Sequence, residues 1–572
     1  MKTKFLALAG AAFLTGGAAP TPVHDVIIRG GTIYDGRGGV PYRGDVAIKR
    51  DRIVAVGRVR GAAKQTVDAR GLAVAPGFIN MLSWANTSLI ADGRGMSDTL
   101  QGVTLEVMGE GNSMGPLNPA MKANQTRRQG DIQYPIGWTT LRQYQDWLVA
   151  RGVTPNIASF VGATTVRIHE LGENDVDPTP AQLARMQALV RRAMNEGAMG
   201  VGSSLIYAPA SFAETPELVA LATASARCGG LYISHIRDEG PKLIEALDEL
   251  IEIAEKSGGP AEIYHFKQSG RPNWGKIDAA IARVEAARTR GLRITADLYT
   301  YPASSTGLDA AMPLWIQEGG IERWIERLKD PALRARAMTE MRSPAAGEDT
   351  TLAVAEPDKV MLLAFKSAAL RPLIGKTLGE VARARQKPPE EVIADLIVAD
   401  GSRIQVAYFS MTEPNVARAA GLPWMSFGSD ASSQAPEGVF LQSSTHPRAY
   451  GNFARLLGKY VRDEKVTSLA DAVRRVTGFP AANLGLTDRG LLKAGHFADL
   501  AIFDPATIAD RATFAAPQQL AVGMRHVLVN GVQVGRDGVH TGAKPGRVVT
   551  GRGLGKCAST ISSTGRQLKP GR

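Results

Sequence analysis

The chain is short of the side chains that most often hold metals, with eight histidines and two cysteines in 572 residues. Two cysteines exclude a disulfide-framed scaffold and any cysteine-rich zinc site, and they leave open whether Cys228 and Cys557 pair. No apolar run reaches the roughly 18 residues of a membrane-spanning helix, which excludes a multi-pass membrane protein. Basic helices with interleaved aromatic residues are also missing. The net charge is +12, but Lys2, Lys4, Arg552, Lys556, Arg566, Lys569 and Arg572 lie at the two ends, and removing those seven takes it to +5. That residue of charge does not indicate a nucleic-acid partner. What is present is ordinary for a globular protein: 44% hydrophobic and 21% charged residues, over a length that requires two or more structural units. Sixty-two glycines, about 11% against a usual ~7%, point to many tight loops.

Residues 1–20 start with Lys2 and Lys4, continue through an apolar stretch from Phe5 to Leu14 and end in Gly16, Gly17, Ala18 and Ala19. This is the layout of a secretory signal, and it predicts export, to the periplasm if the host has an outer membrane. From 23 to 75 short alternating segments are broken by glycine turns, and the same texture returns over 489–550, with Val529-Asn530-Gly531-Val532 as a hairpin turn. These two ends predict one β-sandwich. Residues 551–572 predict a loose basic tail.

The middle, 76–488, alternates helical and strand patterns in units of about 30 residues. Leu243, Ile244, Leu247, Leu250, Ile251 and Ala254 mark one helical face, followed by the strand AEIYHFK. The expected architecture is α/β: a TIM-like (β/α)8 barrel with a subdomain inserted at about 309–403, a doubly wound open sheet being the alternative. Nine strand candidates, 404–410 among them, are one too many for the barrel.

Catalytic groups of such a barrel lie at the C-terminal ends of its strands. The strand ends offer His235, His265, Asp297, Tyr299 and Asp430, and Glu110 stands in the glycine-flanked turn after the second strand. Two imidazoles one β/α unit apart, with carboxylates near, fit zinc. A carboxylate beside a water on such an ion can take its proton and return it to a leaving amine, and Asp430 suits that role. Glu106 is the fallback ligand if the strand stays regular up to Glu110. His24, His496, His526 and His540 read as surface or packing residues, His169 stays open, and His446 and Arg448 follow Asp430 closely enough to line the same mouth.

These features resemble the N-acyl-D-amino-acid deacylases, the D-aminoacylases of the amidohydrolase superfamily. The likeness rests on APGFIN (75–80), QGVT (101–104), SHIRDEG (234–240), YHFK (264–267), SSTGL (304–308), FGSDA (427–431), HPRAYGNFARLLGKYVRDEKV (446–466) and RGLLKAGHFADLAIFDP (489–505). It implies a metal-dependent barrel with a β-sandwich that hydrolyses the amide of N-acylated D-amino acids. It places metal ligation on His235 and His265, the base on Asp430, and contacts to a substrate carboxylate on Lys267, Tyr299, Ser305 and Arg448. Two departures stand out. Leu82 and Trp84 occupy the positions of the superfamily's His-x-His pair, and Glu110 replaces a cysteine ligand. The ligand set that remains, Glu110, His235 and His265, predicts one zinc ion and a small-molecule amide substrate. A different amide, cyclic, dipeptidic or bulky, and a non-catalytic binding protein of the same fold are the competing readings.

Overall fold

The computed structural model describes residues 24–342 and 355–557. The expected export signal and the chain beyond 557 lie outside the described residues. Segments from near both ends of the described chain, 24–76 and 500–540, form one nine-stranded sheet. Strand His24–Ile33 pairs with Tyr42–Lys49, Ala63–Asp68 and Ala73–Pro76, and the ends meet where Ala73–Pro76 runs antiparallel to Leu500–Phe503. Ile28, Val46, Val74, Leu500 and Leu528 fill its core. Gly30 and Gly31, read from the sequence as a turn, lie inside the first strand at a register shift, and Arg50-Asp51 makes the reversal between Tyr42–Lys49 and Arg52–Gly57.

The middle of the chain is a ring of eight parallel members. Seven are strands: Phe78–Asn80, Val103–Met108, 156–162, Gly200–Ser204, Leu231–His235, Ala261–Ile263 and Ile294–Ala296. The third is broken at Phe160. The eighth is the segment 425–431, which bridges in parallel from Met425 to Ala296 on one side and from Ala431 to Ser83 on the other. Helices cover the outside. Pro180–Asn195 begins at a Thr179 capping box with Pro180 in its first turn, where a missing N–H costs nothing. Leu243–Ser257 buries Leu243, Leu247, Leu250, Ile251 and Ala254, and Gly258 at φ +70° ends it.

The ninth strand candidate belongs elsewhere. Gln405–Tyr408 runs antiparallel to both Ser304–Gly307 and Val360–Ala364, so the inserted unit has its own three-stranded sheet and reaches a few residues beyond 309–403 on each side. Helices Ile321–Lys329, Leu378–Arg385 and Pro389–Asp400 pack on a separate core that includes Trp324, Leu362, Phe365 and Leu396. The C-terminal segment also differs from expectation. Residues 546–557 are held on the barrel by a Val548–Ile157 bridge, by the Gly551 N–H on the Gly197 carbonyl, and by a disulfide between Cys557 and Cys228, so the loose tail does not begin at 551. Among the described residues no helix is long and apolar enough to cross a membrane.

Candidate active site

Three strand ends at the mouth of the ring build the centre. Strand Val103–Met108 stops at Gly109, whose φ of +104° turns the chain, and Gly111 lies so close to Ser204 that any Cβ would overlap its hydroxyl. Between these two glycines Glu110 projects into the mouth. His235 is the last residue of its strand, and its Nδ1 lies 3.1 Å from Glu110 Oε1. His265, two residues past Ile263 at φ +35°, brings its Nε2 to 3.2 Å from the same oxygen. Its backbone N–H donates to Asp297 Oδ1 at 2.7 Å, which fixes the turn.

The donor atoms of Glu110, His235 and His265 all lie within 4.8 Å of one another, the single such group among the described residues. Ligands about 2.1 Å from a tetrahedral ion are about 3.4 Å apart. Spacings of 3.1 and 3.2 Å therefore match an ion between them. The donor set of two imidazoles and one carboxylate suits zinc. Burial alone would raise Glu110, but hydrogen bonds from the two imidazoles outweigh it and hold the carboxylate well below its usual range.

Asp430 sits at the end of the eighth segment in the left-handed region, φ +48°, its N–H on the Leu82 carbonyl at 2.9 Å. Such strain in a non-glycine residue is typical of functional positions. Arg448 Nη2 binds its Oδ2 at 2.9 Å. Burial pushes the Asp430 carboxyl up, and Arg448 pulls it back. Arg448 also lies over the Tyr299 ring, with its Cζ 4.4 Å from the centroid, and its backbone amide donates to His446 Nδ1 at 3.0 Å. Its Nε and Nη1 are buried without partners.

The other residues expected to contact substrate line the same cavity, and their polar atoms already have partners within the chain. Lys267 Nζ lies 2.6 Å from Glu239 Oε1 and 2.7 Å from His265 Nδ1, so its ammonium braces the imidazole instead of standing free for substrate. The Tyr299 hydroxyl donates to Met411 Sδ, leaving only its ring to the mouth. The Ser305 hydroxyl donates to the Val406 carbonyl across the inserted sheet and accepts from Gln405, so its proton is already committed. Glu106 points away from the centre because the alternation ends at Gly109. Its Oε2 accepts from Asn80, and it lies beside Asp98 in a separate buried cluster. His169 pairs with Glu170, and His24, His496, His526 and His540 lie outside the mouth.

Glu239 was not read from the sequence as part of the site, and Trp84 was read only as an apolar replacement at the floor of the pocket. Glu239 sits behind both imidazoles, 3.0 Å from His265 Nδ1 and 3.6 Å from His235 Nε2, the placement of an outer-shell carboxylate that fixes ring orientation. Its position four residues after His235, in SHIRDEG, was the available signal. Trp84, dismissed as a ligand, donates its indole N–H to Glu110 Oε2 at 3.0 Å and to Asp430 Oδ1 at 3.1 Å.

Glu110, His235, His265, Asp430, Arg448, Glu239 and Trp84 line one cavity of about 630 Å3, which continues past Met121, Ile168 and Arg403 into a second chamber of about 610 Å3 between the barrel loops and the inserted unit. The sequence pattern of the amidohydrolase family matches residues 65–535. The chain belongs to that family. It is 33% identical to the D-aminoacylase of Alcaligenes xylosoxydans xylosoxydans over 534 residues, 92% of this chain and 97% of the relative. Among solved structures, a D-aminoacylase superposes with a TM-score of 0.76 at 31% identity, covering 92% of this chain and all of that one. That study concerns a binuclear metal centre with one-metal activation and second-metal attenuation. An N-acyl-D-glutamate deacylase from Bordetella bronchiseptica, complexed with zinc and a phosphonate mimic of the tetrahedral intermediate, superposes with a TM-score of 0.74 at 29% identity, covering the same share of this chain and all of its own. Like its amidohydrolase relatives, the chain is a hydrolase of carbon–nitrogen bonds.

Proposed function

We propose that the chain is an exported, single-zinc amidohydrolase that removes the acyl group from N-acyl-D-amino acids. The observation that carries the reading is the meeting, in one cavity, of the Glu110–His235–His265 donor set with an Asp430 carboxylate tied to Arg448. An ion held by Glu110, His235 and His265 would supply Lewis acidity toward the acyl carbonyl and make water more acidic. The protein's own groups do the rest. Asp430 removes a proton from the attacking water and delivers it to the leaving nitrogen. Arg448, with Nε and Nη1 unpartnered, presents a fork for the carboxylate of the substrate's amino acid. Glu239 and Lys267 keep the His265 ring in place. The second chamber gives an acyl group longer than acetyl somewhere to lie, against Met121 and Ile168.

Export is supported by the Cys228–Cys557 disulfide, since such bonds persist in oxidising compartments. Cell fractionation should find the protein outside the cytoplasm with no thiol open to alkylation. The enzymatic reading is tested on purified protein with N-acyl-D and N-acyl-L substrates of rising acyl length. Turnover of the D series, and an Asp430→Asn variant that keeps its metal while kcat falls by about 10^3-fold, are the expected results. Wild-type turnover by that variant, or hydrolysis of neither series, would overturn the reading.

A further inference from the structure

Trp84 leaves the first barrel strand and is locked at both backbone atoms to the eighth segment. Its N–H donates to the Ala431 carbonyl at 3.0 Å, and its own carbonyl accepts from the Ser432 hydroxyl at 3.2 Å. The indole is thereby aimed at the two carboxylates of the centre. An indole has one donor and no acceptor, and here that one N–H is shared between Glu110 Oε2 and Asp430 Oδ1. The other oxygen of each carboxylate is already assigned: Glu110 Oε1 faces both imidazoles, and Asp430 Oδ2 takes Arg448. The indole N–H therefore fills the gap between Glu110 Oε2 and Asp430 Oδ1, and a cation drawn to both oxygens would have to displace it.

We propose that Trp84 is a positioning residue that stands in for a second cation, aligning Glu110 with Asp430 and closing the centre to any ion beyond the first. The inference rests on the single-metal reading of Glu110, His235 and His265. It gives this chain a built-in means of staying in the one-metal state. A related D-aminoacylase has a binuclear centre, with activation by one metal and attenuation by a second. Ions added in excess would find the attenuating position here already filled by a side chain.

The test titrates metal-free protein with Co2+, counting bound ions by equilibrium dialysis and mass spectrometry and following the visible cobalt absorption. The wild type should saturate at one equivalent and keep its activity in excess metal. Trp84→Phe keeps the ring and loses the N–H; it should bind one equivalent about 10-fold more weakly, with kcat lowered and KM little changed. Trp84→His restores a ligand at this position and should take a second equivalent. A merely structural role for the indole would move neither the stoichiometry nor the split between kcat and KM. A second equivalent in the wild type, or cobalt affinity and stoichiometry unchanged in both variants, would overturn this inference alone. A wild type that binds no cobalt would overturn the metal-centre reading, and this one with it.

Discussion

Glu106 and Glu110 lie four residues apart, on one strand and the turn that ends it; both are buried, at 0% and 3% exposure. Their ionisation runs in opposite directions. Glu110 is held well below the usual carboxylate range because two imidazoles meet it at the barrel mouth. Glu106 is pushed up by burial, and Asp98 beside it is pushed up by burial and by Glu106 itself. Asn80 donates to both carboxylates of this pair, and neither it nor the nearby Ser83 and Ser433 carries a charge. Glu262, on the sixth strand, is another such interior acid, raised to about 7 by burial among Thr295, Ser426 and Asn483. Burial is common to the mouth and the interior, so the charge of the neighbours decides which acid can hold a cation.

The comparison can be broken most forcefully at the mouth. Glu110→Gln should lose its bound metal and at least about 10^3-fold in kcat/KM, as read by metal analysis and kinetics. Metal content equal to the wild type would show that Glu110 is not a ligand. Next in size is Glu262→Gln. A carboxyl raised from 4.5 to about 7 makes stability fall as pH climbs across that window, because the unfolded chain ionises first. Denaturant unfolding of the Gln variant should lose that slope and gain up to about 3 kcal/mol at pH 8. Ser426 Oγ can accept from the new amide, since the Ala296 carbonyl lies 3.1 Å away to take its proton. The smallest effect belongs to Glu106→Gln. Metal content should stay constant and kcat/KM should change by less than about threefold, below the loss expected for an outer-shell partner. Stability at alkaline pH should rise by roughly 1 kcal/mol. A large loss of activity would tie the lower cluster to the chemistry.

The residues that the sequence placed well are those whose location follows from strand ends. His235, His265 and Asp430 each close a hydrophobic run, and a barrel brings such ends together whatever the details of its loops. Glu110 over Glu106 depended on whether the alternation survives Gly109, and only the backbone answers that. What the sequence did not reveal are hydrogen bonds that cross the chain over long distances. Ser305 spends its proton on Val406, 101 residues away, and Tyr299 meets Met411 across 112 residues. The strand 404–410 has the same apolar texture as a barrel strand, yet its partners are Ser304–Gly307 and Val360–Ala364. Pattern alone does not reveal with which sheet a strand pairs. Trp84 was legible as a side chain unable to bind metal; its role as a shared donor required distances.

On the proposed function, Arg448 would serve recognition and chemistry with a single charge. One nitrogen of its guanidinium lies 2.9 Å from Asp430 and also reaches the Ser305 carbonyl of the inserted unit; two others have no partner. On that reading, a substrate carboxylate docking on those nitrogens would compete for the cation beside Asp430 and make that carboxylate more avid for protons as the substrate arrives. Amides without a carboxylate should therefore lose turnover as well as affinity, a deficit visible in kcat at saturation. In that sense such a substrate would carry part of its own catalyst.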